Sequence, residues 1–558
     1  MHHFWEINEL IIETFAFLEP GDLFHCAQVS KRLSVHALDS LYRELEGLYN
    51  VLSILSPINP PRYPRADQDE ETIASTDDYT FAKKSLSEDD WLRFQHYAQR
   101  VHQLDCDWMG NGYNIPLITR DLQSVTLPDC GLFPNLKSLR WTGHHLPAFE
   151  NLRIGLSVSL RELMLQAASP VIFDRLPEVL QCCPELESVT LLLDYPQSHT
   201  ADELPTFEDD KVFMMVTSLP KLKELHLDPA LVSAETLTSI SRKPSLMSLI
   251  IASCPALPRK IPLPPLPACP LVESDNYPAL RELCLSLPPG SQKVPESYAG
   301  CPISSLLVDA SGPSTDNLSN LLQDFRQFRN LRHLVIIFSF DQTSTDEQDA
   351  VEDDTILSDD AEQSLTFDML RPLLSLSLVV FEASTSPFFL LDREIEEMAR
   401  CWPDLESLCL CTPQADFSEG TEPEKIMPIS SLEIFGRHFR NLKNLRLYVD
   451  ATVVPPLSED VTERHVFDCL LQLDLRGSKV EKPCDVALYL AEILPQKCEL
   501  VKYDGWTYEF FVDDMDYGWE DETARDVWDE IGILFTGMQT FKLKVLHRLW
   551  SRVSSPKE

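Results

Sequence analysis

The sequence predicts an α/β chain in which an N-terminal three-helix domain leads into a long repeat solenoid, bent into a horseshoe. Three observations predict it. Apolar residues recur at helical spacing, with helix breakers between them, over the first 45 residues. A short leucine-rich signature then returns along most of the remaining chain. Finally, 558 residues contain only 17 Gly, too few for the loop-rich sites that cradle phosphates, and they contain no recognisable catalytic motif.

The helices come first. Ile7, Leu10, Ile11, Phe15 and Leu18 fall on one helical stripe. Pro20 stands where a second helix begins, and Asp22 adds a carboxylate near its positive end. Ser30 is placed to cap a third helix running through Leu41, Tyr42 and Arg43. Three helices this short cannot bury all their apolar faces internally, so a further surface is expected to complete the burial.

The repeats follow. Their signature is Pro/Asn-x-Leu-x-x-Leu-x-Leu, cleanest at Pro220-Lys221-Leu222-Lys223-Glu224-Leu225-His226-Leu227. Copies also lie at Pro134, Leu160, Pro184, Pro244, Pro278, Arg329, Pro403 and Arg440, with weaker ones at Pro302, Leu373 and Cys469. From Leu136 to Leu471 the mean period is about 30 residues, with roughly 23 to 43 between copies. The last two apolar positions alternate, as on a short strand with one buried face. The segments Phe173 to Cys182, Leu318 to Phe328 and Glu394 to Cys401 read as helices. A helix-then-strand unit cannot bury its apolar side alone, whereas stacked units share one core and line a concave parallel sheet.

These two patterns resemble known families. The repeats look like leucine-rich repeats. The N-terminal order Leu18, Pro20, Asp22, Leu23, Val29, Ser30, Arg32, Leu41, Tyr42, Arg43 resembles the F-box, over under a tenth of the chain. Two positions depart from that family: its opening Leu-Pro is absent near Glu6-Ile7, and Leu33 stands where Trp is usual. The layout resembles the F-box proteins expanded in mushroom-forming fungi. The resemblance implies a substrate-recognition subunit of a Skp-cullin-F-box type E3 ubiquitin ligase, cytoplasmic or nuclear. Such a subunit docks on the Skp adaptor and cullin complex through its helices and holds an unknown protein target on its repeats, without doing chemistry itself. It implies adaptor contact by Ile7, Leu10, Ile11, Phe15, Leu18, Pro20, Leu23, Val29 and Leu33, some of which must instead form the helical core. The alternative is a leucine-rich-repeat scaffold whose first helices are only a cap. Target-facing candidates are the strand positions Lys223, Glu224, His226, Arg281, Glu282, Lys443, Asn444 and Arg446.

Composition bounds the function. A net charge of -41 argues against nucleic acid, which needs clustered Lys and Arg. The 15 Cys include no C-x-x-C pair, so they read as small apolar residues of a reducing compartment. No secretory leader and no apolar run of membrane-spanning length is seen. There is no Walker A loop, G-x-G-x-x-G, G-x-S-x-G or H-E-x-x-H, and His144-His145 read as solvated, so no catalytic residue, metal or cofactor is expected.

Breakers and charge set the expected boundaries: helices over 1–55, a Pro-rich linker over 56–95, the solenoid over 96–505, and a C-terminal cap and helix over 506–558. Residues 341–363 form an acidic insertion in which Ser344, Thr345 and Ser358 lie beside acids, the setting an acidophilic kinase reads; a plain solvated loop is the simpler reading. The run from Ala256 to Pro270 reads as a bridge between repeats. Val527, Ile531, Leu534, Phe535, Met538, Leu546 and Leu549 mark one long amphipathic helix capping the stack, with Trp506, Tyr508, Phe510 and Phe511 beneath it.

Overall fold

A computed structural model describes residues 7–59, 80–83, 85–107, 131–143, 152–167, 176–193, 210–252, 277–287, 291, 293–311, 315–339, 365–384, 388–410, 426–456, 467–475, 478–500 and 522–553. The chain forms two compact units, Met1–Ile261 with Pro267–Tyr277, and Pro262–Leu266 with Pro278–Glu558.

The first unit opens with α1 (Asn8–Phe15), α2 (Pro20–Val29) and α3 (Lys31–Arg43). Pro20 occupies the first turn of α2 beside Asp22, and the Ser30 hydroxyl accepts the Leu33 N–H at 3.2 Å to cap α3. The chain passes from α3 directly into β1 (Glu44–Glu46). In the range read as a linker, Ile58–Asn59 pairs antiparallel with Thr80–Phe81, and Glu88–Ala98 forms helix α4. The α4 start is a capping box: Ser87 accepts the Asp90 N–H, while the Asp90 carboxylate accepts the Ser87 N–H. That carboxylate also takes Lys83 Nζ at 2.8 Å, which holds its titration well below the usual carboxylate range. Strands β2 (Gln103–Asp107), β3 (Ser138–Gly143), β4 (Glu162–Ala167), β5 (Ser188–Leu193), β6 (Glu224–Leu227) and β7 (Ser248–Ile251) follow, every neighbouring pair parallel.

Register explains the signature. Leu45, Leu104, Leu139, Leu163, Val189, Leu225 and Leu249 are aligned across β1 to β7, and all are buried. The next inward column is Cys106, Trp141, Leu165, Leu191, Leu227 and Ile251. Between repeats, the carbonyl of the residue before each strand accepts two successive N–H groups of the next repeat. Lys137 O takes Arg161 and Glu162 N–H at 2.8 and 2.9 Å, and Glu187 O takes Lys223 and Glu224 N–H at 2.7 and 3.0 Å. The Asn that often precedes the first leucine has its own role. The Asn135 amide donates to Gln99 O at 2.7 Å, and Ser159 makes the equivalent bond to Pro134 O at 2.8 Å.

The second unit repeats the scheme with β8 (Glu282–Leu287), β9 (Ser305–Ser311), β10 (His333–Ser339), β11 (Val380–Ser384), β12 (Ser407–Leu410), β13 (Asn444–Leu447), β14 (Gln472–Asp474) and β15 (Glu499–Leu500). Leu283, Leu306, Leu334, Phe381, Leu408, Leu445 and Leu473 form its inward column. Helices precede strands where expected, including Thr315–Asp324 and Asp392–Cys401. The long final helix, Glu522–Val553, buries Ile531 and Phe535 and packs on helix Pro483–Ile493. Trp528 donates its indole N–H to Ser478 O at 3.2 Å.

Two repeat assignments are corrected. Residues Arg371–Ser375 form a 3-10 turn, and the strand copy there is Leu378-x-x-Phe381-x-Ala383. Pro372, lacking an N–H, suits a helical first turn and not a central strand. Leu373 instead supplies the carbonyl that the buried Trp402 indole bonds at 3.3 Å. At Cys469 the register starts on Leu470, buried, while Leu471 is 45% exposed. A further copy, Val101-x-x-Leu104-x-Cys106, escapes the leucine pattern because Val and Cys fill two of its positions. The acidic insertion, the Pro-dense run, His144-His145 and the aromatic group Trp506 to Phe511 lie outside the described residues.

Two outcomes are expected from this packing. Leu225→Ala should cost about 2–5 kcal/mol in a urea unfolding titration, the range for opening a cavity in a packed core, whereas Lys223→Ala, at a surface ion pair, should cost about 1 kcal/mol or less. His226 is the second case. Its Nε2 lies 3.2 Å from Ala252 O, and burial pushes the imidazole down to about 4. An unfolded His titrates near 6.5, so between these values the unfolded chain takes up a proton that the folded chain refuses. The stability tied to neutral His226 is complete above pH 6.5 and is lost as pH falls through about 4. The wild type should therefore lose stability relative to His226→Gln only below pH 6.5, read as unfolding free energy against pH.

Candidate partner-binding surfaces

The three N-terminal helices close a small core of their own. Ile11, Phe15, Leu23 and Ala37 are buried together, and Leu18, Cys26, Ala27, Leu33 and Leu41 pack against them partly buried. Arg32 Nη2 donates to Asn8 Oδ1 at 2.9 Å, tying α3 to α1. The nine expected contact residues therefore divide. Ile11, Phe15 and Leu23 are core; Leu18 and Leu33 are its half-buried edge; Ile7, Leu10, Pro20 and Val29 face solvent. Leu33 packs, partly buried, at the edge of this core.

The exposed apolar set is larger than the helical stripe suggests. Among the described residues, Ile7, Leu10, Ile12, Phe17, Phe24, Val29 and Val35 are all more than a third exposed, with Phe17 at 85% and Val29 at 72%. Eighteen large apolar side chains are that exposed among the described residues, and these seven fall within residues 7–35. Single exposed apolar residues are ordinary, but this density marks an interaction surface. Ile12, Phe17, Phe24 and Val35 escaped sequence reasoning. The signal for Phe24 is its place one residue past the buried Leu23, about 100° around the helix.

This helical head is fixed to the repeats of its own unit. Asp39 on α3 pairs with Arg100 just after α4, and Arg100 Nη1 also donates to Val35 O at 3.3 Å. The Tyr42 and Tyr97 rings lie 4.9 Å apart, and β1 pairs in register with β2.

On the open faces of the sheets, several candidate target-binding residues are already engaged. Lys223 bonds Glu187 at 2.6 Å and holds that carboxylate below its usual range; Lys443 bonds Glu406 at 2.7 Å. Arg446 bonds Asp474 at 2.9 Å with both side chains nearly buried, and His226 is half-buried with Nε2 3.2 Å from Ala252 O. Glu224, Arg281 and Glu282 are exposed, and Asn444 is half-buried. Among the described residues no group of three His, Cys, Asp or Glu side chains is placed to hold a metal ion, and no helix is long and apolar enough to cross a membrane. Among the described cysteines, Cys106, Cys183, Cys284, Cys301, Cys409 and Cys498 are buried.

No family model matches the chain, and no curated protein matches it in sequence. Among solved structures, a complex of TLR13 with ssRNA13 aligns with 15% identity and a TM-score of 0.32 over 74% of this chain and 57% of that one. The chain thus spans little more than half the length of that neighbour. The complex of Rad7 and Elc1 in yeast aligns with 14% identity and a TM-score of 0.32, over 86% of this chain and 90% of that one. The leucine-rich repeat domain of APL1B aligns with 12% identity and a TM-score of 0.25, over 74% and 85%.

The division of the helices is directly checkable. Phe15→Asp places a charge in the closed core and should unfold the head, seen as lost protection of α1 to α3 amides in hydrogen exchange. Phe17→Asp should leave that protection unchanged.

Proposed function

We propose that this chain is the substrate-recognition subunit of a Skp-cullin-F-box type E3 ubiquitin ligase. The helical head would dock on the Skp adaptor, and the repeat strands would hold a protein target. The observation that carries the reading is the density of exposed apolar side chains on a head whose own core is already closed. With Ile11, Phe15 and Leu23 committed inside, the surface offered to an adaptor is Ile7, Leu10, Ile12, Phe17, Phe24 and Val29, beside Pro20. The order from Leu18 to Arg43, which resembles the F-box, supports the same reading. The chain would contribute no chemistry. Its effect would be proximity: a target held beside a charged conjugating enzyme presents its lysines at high effective concentration. Work in the cytoplasm or nucleus belongs to this proposal.

A leucine-rich-repeat scaffold with no ligase remains the second reading, favoured by Leu33 in place of Trp and by the burial of Leu23. A pull-down of the full chain with purified Skp adaptor separates the two. The wild type should be captured at micromolar concentration, and Phe17→Asp with Phe24→Asp should weaken capture at least tenfold, roughly 1.4 kcal/mol or more, while the fold is kept. Failure of the folded wild type to bind would leave the scaffold reading.

A further inference from the structure

The residue just before each strand carries the register, and before β1 to β4 of the first unit that residue is basic every time: Arg43, His102, Lys137 and Arg161. Backbone hydrogen bonds fix the four in one row. His102 N–H donates to Arg43 O at 2.9 Å, Lys137 N–H to His102 O at 2.8 Å, and Arg161 N–H to Lys137 O at 2.8 Å. Neighbouring strands lie ~4.8 Å apart, so the row runs for about 14 Å along the line of strand starts. Arg43, Lys137 and Arg161 are exposed and His102 is half-buried.

Side chains at this position meet their neighbours in the row. Further along it, Lys223 Nζ reaches Glu187 Oε2 at 2.6 Å, and in the second unit Lys443 Nζ reaches Glu406 Oε2 at 2.7 Å. Where the row alternates in sign, it neutralises itself. From Arg43 to Arg161 it has no acid with which to do so. Arg161 meets Glu187 only at 3.9 Å, since Lys223 holds that carboxylate. Arg43 and Lys137 form no ion pair among the described residues. The nearest acids in sequence, Glu44 and Glu162, stand on the next register row with Gln103 and Ser138, and neither pairs with the basic row. Burial, then Lys137, then Arg43, hold the His102 imidazole below its ordinary value, so the charge it feels from both sides is positive. Like charges on adjacent strands weaken a sheet. The chain has 88 Asp and Glu against 47 Lys and Arg, yet it places four basic residues side by side here.

The chemistry of the partner follows from sign and shape. Exposed, uncompensated cations in a line call for a linear array of anions. A nucleic-acid backbone is such an array, but it is held through many more cations than four and is repelled by a chain of net charge -41. An extended peptide needs only the local row. Its alternate side chains share one face about 6.8 Å apart, so three carboxylates at alternate residues span roughly the 14 Å of the row. Arginine suits carboxylates through its paired donors, and lysine adds a mobile charge. We propose that Arg43, His102, Lys137 and Arg161 seat an extended acidic segment of a bound protein, with Asp or Glu at alternate residues. This assignment rests on the reading of the repeats as the surface that holds a target, and it gives that target a chemistry. The row starts at the last residue of α3, so the seat adjoins the helical head.

The test uses the full chain and two blocked peptides, acetyl-Glu-Thr-Glu-Thr-Glu-amide and acetyl-Gln-Thr-Gln-Thr-Gln-amide, in titration calorimetry at physiological salt, beside a thymidine oligonucleotide. The acidic peptide should bind about tenfold or more tightly than the Gln peptide. Lys137→Gln with Arg161→Gln should remove that preference while the urea unfolding midpoint is kept, because both side chains are exposed. Lys497→Gln, at an exposed lysine of the second unit, should keep the preference. Equal binding of the two peptides, no binding of either at millimolar concentration, or an unchanged preference in the folded double variant would overturn the proposal. So would tighter binding of the oligonucleotide than of the acidic peptide. The adaptor pull-down separates this seat from the ligase reading. Loss of adaptor capture in the double variant would assign the row to the adaptor and overturn the seat. An acidic preference that the double variant loses, with no adaptor capture by the wild type, keeps the seat and removes the ligase.

Discussion

The repeat region depends on one backbone interaction, the carbonyl before each strand that accepts two N–H groups from the next repeat. His102, Lys137, Arg161, Glu187 and Lys223 hand the register along the first unit in this way, and Arg281, Ser304, Arg332, Val379, Glu406 and Lys443 along the second. A parallel strand has no hairpin to set its register. A slip of one residue would turn every leucine of the inward column to the open face. The paired bond and the leucine column therefore enforce each other, and the loops between copies are free to vary in length. That freedom is why the period wanders while the strands stay aligned.

The same constraint ties the N-terminal head to its unit. Because α3 runs into β1 and β1 pairs with β2, the head is continuous with the sheet and held there by the Asp39 pair with Arg100 and the Tyr42 and Tyr97 rings. A head held this way presents its apolar surface in a defined orientation to its own repeats.

What the sequence made legible was whatever a local period encodes. The three apolar positions of each copy could be read because Leu at that spacing has one structural meaning when repeated. Leu373, Leu376 and Leu378 share that spacing by accident of a 3-10 turn, and only Pro372 betrays them. Val101 and Cys106 hid a true copy by substituting for Leu. In the head, Ser30 and Pro20 marked the helix starts because capping is a local matter. The division of Ile11, Phe15 and Leu23 from Ile7, Leu10 and Val29 was not legible, since all six lie on apolar helix faces and the packing of three helices decides which turn inward.

On the proposed reading, the head offers a surface that stays apolar and exposed until a partner covers it. Hydrogen exchange on the full chain, alone and with purified Skp adaptor, tests this most directly, because it reports burial at each segment rather than capture alone. The proposed docking predicts new protection confined to α1 and α2, around Ile7, Leu10, Ile12, Phe17, Phe24 and Val29, with the repeat strands unchanged. Unchanged exchange in α1 and α2, or protection that appears on the repeat strands instead, would contradict it.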